Sequence, residues 1–205
     1  MNVSSVRKIA ILRANGLGDL IFALPAAQAL RLAYPDAEII WLGGEVHQQF
    51  FPHRPGPVDR VIVVPPSQGI RDEPEGADDA TLQRFFEAML KEQFDVAVQI
   101  HGGGRFSNPF VRKLGARMTV SLRTPDAIAL DRWIPYHYFQ HEVLHFQHEV
   151  LRYLEVVALL GTTEADLEPT VCVTEEDRNE IEAHLPYSDQ PLAAIHPGAG
   201  DPRRR

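Results

Sequence analysis

The feature that most limits what this chain can fold into is an alternation. Short apolar runs at residues 8–13, 38–42, 60–64, 94–100 and 118–122 are separated by segments of helical period, among them residues 19–34, 82–90 and 141–160. A strand covered on one face alternates apolar with polar residues, whereas one covered on both reads as a near-continuous apolar run. These runs are of the second kind. Repeated β-α units of that sort predict a Rossmann-like α/β fold with a doubly wound parallel sheet, whose ligand crevice lies beyond the carboxyl ends of the strands.

Two of the runs open into glycine turns, Gly16-Leu17-Gly18-Asp19 after the first and Gly102-Gly103-Gly104 after the fourth. Residues 67–79 are polar and aperiodic, and read as a mobile surface loop. Near the end, residues 175–184 suggest a helix, 186–191 a polar connection, and 192–196 a new strand running into Pro197-Gly198-Ala199-Gly200. A lone strand and glycine loop cannot bury themselves. The expected organisation is therefore one domain over residues 1–168, with 169–205 an interdomain segment and the first strand and loop of a truncated second domain.

Composition narrows the classes of function. With 44% hydrophobic residues in 205, a packed core is expected rather than disorder. Against 28 Asp and Glu stand 20 Lys and Arg, a formal charge of -8 that repels phosphate backbones, so nucleic acid is not an expected partner. The single cysteine, Cys172, lies in an apolar Thr170-Val171-Cys172-Val173 run and reads as a core thiol in a reducing compartment. Arg7 and Lys8 precede an apolar stretch reminiscent of a secretory signal, but Arg13, Asn15 and Asp19 interrupt it. No apolar run approaches the roughly 18 residues of a membrane span. A cytoplasmic protein is the expectation, with peripheral contact at the inner membrane face left open.

The turn at Gly16 lacks the third glycine of a G-x-G-x-x-G fingerprint, Ile21 standing in its place, so no nicotinamide or flavin cofactor is expected. Asp19 read by itself is a helix N-cap. His101 to Asn108 follows a strand, and its glycines let backbone amides approach a sugar or anion while Arg105 supplies a fork of donors; the plain alternative is a flexible turn with a solvated arginine.

Read together, Ile11-Leu12-Arg13, Gly16-Leu17-Gly18-Asp19, Leu24-Pro25, Leu30-Arg31-Leu32-Ala33-Tyr34-Pro35, Gln99 to Pro109, Leu114-Gly115-Ala116-Arg117 and His196-Pro197-Gly198-Ala199-Gly200 occur in an order that resembles the heptosyltransferases of glycosyltransferase family 9. The resemblance implies the acceptor half of a two-domain GT-B enzyme, inverting and without metal or other cofactor. It implies Asp19 as general base. Arg13, His101, Arg105 and Arg123 are the candidate acceptor contacts, the alternative for Arg13 and Arg123 being a plain surface charge. Gly198, Ala199, Gly200 and one of the closing arginines, here assigned as Arg204, would hold the donor diphosphate. The implied partners are a nucleotide-diphosphate sugar of the ADP-heptose type and a lipopolysaccharide-core-like glycolipid. A chain stopping at Arg205 is expected to be inactive; the alternative is a non-catalytic remnant or binding module of the same fold.

A third reading comes from His141-Glu142-Val143-Leu144-His145, which fits the H-E-x-x-H pattern of zinc hydrolases. Residues 139–145 are followed at once by a near-identical copy at 146–152, so a local duplication accounts for the pattern. Seven residues are nearly two helical turns, which a helix absorbs with about 20° of rotation. No metal site is expected.

Overall fold

The computed structural model describes residues 6–71, 78–136 and 147–185, together with Ala193 and Ile195. The chain divides into two compact units, Met1–Thr170 and Val171–Arg205. In the first, the elements run β1 (Lys8–Leu12), α1 (Leu17–Ala33), β2 (Glu38–Gly43), α2 (Glu45–Phe50), β3 (Arg60–Val63), α3 (Asp79–Glu92), β4 (Val96–Gln99), α4 (Ser107–Arg112), β5 (Met118–Arg123), β6 (Arg132–Pro135) and α5 (Glu149–Ala158). The strands form one sheet in the order β3-β2-β1-β4-β5-β6, with every pairing parallel. This is the doubly wound Rossmann-like arrangement that the alternation predicts.

Side-chain alternation along each strand explains the continuous apolar runs. Ile9, Ile11, Ile39, Trp41, Val96 and Val98 face a core shared with α1 and α5, while Ala10, Leu12, Ile40, Leu42 and Ala97 face a second core with Met89 of α3 and Phe110 of α4. Both faces of the central strands are therefore dry.

Several elements differ from expectation. The helix anticipated over 141–160 begins at Glu149, where His148 acts as N-cap by accepting a hydrogen bond from the Val150 amide; residues 141–146, and with them the H-E-x-x-H segment, lie outside the described residues. The loop expected to be mobile is packed over its first part: Ser67 and Arg71 form a bridge, and Ile70 is buried. Strand β6 and the six-residue helices α2 and α4 were not foreseen, since elements so short carry too few residues to establish a period.

The second unit contains α6 (Glu175–His184), capped by Thr174, whose hydroxyl accepts from Asp177 N while the Asp177 carboxylate accepts from Thr174 N. Cys172 is exposed, and so are Val171 and Val173 on either side of it, which corrects the reading of a core thiol: four residues are too few for an apolar run to establish burial. Of the strand expected over 192–196, only Ala193 and Ile195 are described. No helix among the described residues is long and apolar enough to cross a membrane.

Candidate active site at the strand-order reversal

In a doubly wound sheet the chain leaves the first strand in one direction and later returns to its other side, so the loops after the two adjoining strands diverge and leave a crevice. Here those strands are β1 and β4, paired up to Leu12 and Gln99. Beyond their carboxyl ends lies an open cavity of about 480 Å³ bordered by Ala14, Asn15 and Gly16 after β1, Gly44, Glu45 and Val46 after β2, Ile70, Arg71 and His101. A second cavity, about 290 Å³, lies between the glycine loop and the end of β5 and includes His101, Arg105, Thr124 and Asp126.

Asp19 stands in the first turn of α1, but it is not the N-cap. That place belongs to Gly16, which has no side chain to offer, and the Asp19 carboxylate turns instead toward Arg13. Oδ1 accepts from Arg13 Nη2 at 2.5 Å, and the side chain stays 41% exposed. Arg13 is buried, contrary to the option of a surface charge. Its Nη1 donates to the Ile100 carbonyl at 2.8 Å, and the guanidinium lies 5.1 Å from the ring centre of Tyr153, which α5 brings to the site. Burial pushes the Tyr153 hydroxyl far above its ordinary range against the opposing pull of Arg13, so the ring supports the cation as a neutral aromatic face. A buried guanidinium needs such compensation, and here a carboxylate, a carbonyl and a π face supply it.

His101 is a tie between segments. Nδ1 accepts from the Ala14 amide at 3.2 Å, which leaves the proton on Nε2 to donate to the Gly69 carbonyl, also at 3.2 Å. The ring thereby links the end of β1, the 67–71 turn and the glycine loop, and it borders both cavities.

Arg105 is largely exposed in the second cavity, 3.8 Å from Asp126 and stacked on Phe106. Arg123 borders neither cavity: its guanidinium covers Trp133 at 4.6 Å and its Nε donates to the Ala127 carbonyl. The structure thus pairs Arg13 with Asp19, ties His101 to the neighbouring Ala14 amide, sets Arg105 at the second cavity, and places Arg123 aside. Gly198, Ala199, Gly200 and Arg204 lie outside the described residues.

Sequence reasoning missed what holds the glycine loop in shape. Gln99, fully buried, donates to Ser107 Oγ at 2.6 Å and Asn108 Oδ1 at 2.7 Å, and accepts from the His101 amide. Asn108 in turn donates to the carbonyls of Leu122 and Ile128. Gly104 sits at φ 96°, and a Cβ there would come within 2.5 Å of the Asn108 side chain, so this position requires glycine twice over. The available signal was a glutamine inside an otherwise apolar strand, because a buried polar side chain implies a partner. Asn108→Ala is expected to cost about 3 kcal/mol, since it strands Gln99 and two carbonyls at about 1 kcal/mol or more each. Urea unfolding should show the loss as a lower midpoint with an unchanged slope.

No family model and no curated protein matches the chain. Solved structures do. The glycosyl transferase family 9 protein of Veillonella parvula DSM 2008 is 20% identical with a TM-score of 0.63, covering 94% of this chain and 53% of that one. E. coli heptosyltransferase WaaC, solved with ADP-2-deoxy-2-fluoro heptose, is 20% identical at TM-score 0.56, covering 78% and 51%. E. coli ADP-heptose lps heptosyltransferase II is 14% identical at TM-score 0.58, covering 89% and 51%. These similarities establish a shared fold, and the neighbours are of the kind that the sequence motifs resemble. The chain spans about half the length of each.

Proposed function

We propose that this chain is the acceptor-side half of an inverting glycosyltransferase, moving a heptose-like sugar from a nucleotide-diphosphate donor to a lipopolysaccharide-core-type glycolipid. The observation that carries the reading is the state of Asp19 at the reversal crevice. One carboxylate oxygen is anchored by a buried arginine, while Oδ2 has no hydrogen-bond partner among the described residues and the side chain stays 41% exposed to solvent in the first turn after β1.

A sugar hydroxyl is a weak nucleophile, and a fixed carboxylate can accept its proton as the oxygen bonds to the donor's anomeric carbon. The bond to the diphosphate breaks as the new one forms, so a single displacement inverts the anomeric configuration. Arg13 keeps Asp19 from swinging away, which matters because positioning is worth roughly 7 to 11 kcal/mol of such a barrier. His101 and Arg105 border the cavities where an acidic acceptor would lie. In this reading Gly198, Ala199, Gly200 and Arg204 open the donor-diphosphate site, through backbone amides and a fixed cation. The wider proposal is a cytoplasmic enzyme meeting its glycolipid at the inner membrane face.

The test is a transfer assay on the longest reading frame that contains this chain, with ADP-heptose and a lipopolysaccharide-core acceptor. Product of inverted configuration is the expected result; a correctly folded protein that binds neither substrate would overturn the reading. For the 205-residue chain alone, calorimetry is expected to show no binding of the nucleotide sugar tighter than millimolar, because half a crevice cannot desolvate a diphosphate.

A further inference from the structure

His47 is a titratable group that the proposed chemistry does not use. It lies within α2, is fully buried, and sits between the indole of Trp41, 6.0 Å away between ring centres, and the backbone of Gly43, where an added Cβ would come within 2.8 Å of the imidazole. Nδ1 accepts a hydrogen bond from the Gly44 amide at 2.9 Å. That assigns the proton to Nε2, which is buried without a hydrogen-bond partner among the described residues.

From this geometry we propose that His47 is a pH-sensitive latch for the crevice wall: in mildly acidic solution its protonation unfastens α2 and loosens the segment Gly44–Val46 that borders the larger cavity. The inference is independent of whether sugar transfer is the reaction.

The argument is one of hydrogen-bond polarity. A neutral imidazole can accept from Gly44 N; an imidazolium carries a proton on both nitrogens and cannot. Protonation would set two donors face to face and place a charge where no water reaches. The surrounding charges decide whether the site could tolerate it. Arg13 at the end of β1 and Arg71 in the 67–71 turn disfavour a third cation, and Asp19 of α1 opposes them but is committed to Arg13. Glu45, on the same helix, is committed to Arg71 at 2.6 Å. Burial first, with the two arginines added to it, holds the His47 ring below the ordinary histidine range against the pull of Asp19.

The sign follows. The opened segment binds a proton more readily than the closed one, so the closed state is fully stable above the free imidazole value and loses stability as pH falls below it. With that value near 6.5, lowering the pH from 7.5 to 5 should raise the open population of α2 up to about 30-fold. Opening would also release Glu45 from Arg71 and change the shape and charge of the cavity.

Amide hydrogen exchange on this chain provides the test. After correction for the intrinsic pH dependence, the amides of His47, Gln48 and Phe51 should show the rise in opening at pH 5, while those of β1 and β4 should not. In His47→Gln the rise should vanish. An α2 whose corrected exchange is flat with pH, or an equal rise in His47→Gln, would overturn the proposal. Should His47→Gln fail to fold, imidazole nitrogen shifts of the unmutated protein decide: the closed form should keep the neutral Nε2–H tautomer at pH 5, and an imidazolium beside protected α2 amides would overturn the latch.

Discussion

Replacing Asp19 by alanine is expected to lower sugar transfer by about two to four orders of magnitude, the usual worth of a positioned general base. Donor affinity should hardly change, because the diphosphate is proposed to bind elsewhere, so the loss should fall on turnover. The measurement is steady-state kinetics on the longest reading frame, with unfolding followed in parallel. Some stability should be lost as well: the side chain is 41% exposed and caps nothing, Gly16 being the N-cap, but its carboxylate is the counter-ion of buried Arg13. The change does remove the carboxylate that neutralises buried Arg13, so a control is needed in which the charge is lost and the shape kept. Asp19→Asn meets that need, and it should be nearly as inactive as alanine. A loss below about tenfold in both, with folding intact, would reduce Asp19 to a counter-ion for Arg13.

Trp41→Ala is expected to destabilise the first unit by about 4 to 5 kcal/mol, near the top of the range for aromatic truncation. Trp41 is completely buried, its indole N–H donates to the Arg13 carbonyl at 2.9 Å, and its ring meets Phe51 at 5.5 Å between ring centres. Truncation would open a cavity, orphan that carbonyl, and remove the wall against which His47 rests. For a unit of this size the melting temperature should fall by roughly 10 to 20 °C. Trp41→Phe retains most of the volume and should cost less than half as much. A loss below about 2 kcal/mol for Trp41→Ala would mean that the surrounding core collapses into the space.

How much of this was legible beforehand varies with the kind of information needed. The core strands could be read because each is covered on both faces, so Ile9, Ala10, Ile11 and Leu12 are all buried and the run is uninterrupted. The crevice position follows from the parallel topology alone. By contrast, β6 is a largely exposed edge strand of four residues and carries no apolar pattern. The contacts of the site were beyond reach for a different reason. Arg13 and Asp19 are close in sequence, yet the burial of Arg13 depends on Ile100 and Tyr153, which only the folded sheet brings near. The N-cap reading of Asp19 was wrong by the same logic: a local rule favoured the helix start, and a buried cation offered a stronger partner. Cys172, exposed between two exposed valines, shows that so short an apolar run does not by itself signal a core.

The central position of β1 also bears on how the protein is made. Arg13 reaches a carbonyl 87 residues further along the chain, and β1 can pair with β2 long before β4 exists. At synthesis rates of roughly 5 to 20 residues per second, one edge of an apolar strand stays open for about 4 to 17 s in each nascent chain. During that interval the segment is a template for pairing with a neighbouring copy. Rapid translation through residues 40–100, or a chaperone bound to the β1-α1-β2 fragment, would shorten the exposure; clusters of slow codons in that stretch should raise the aggregated fraction without altering the stability of the finished fold.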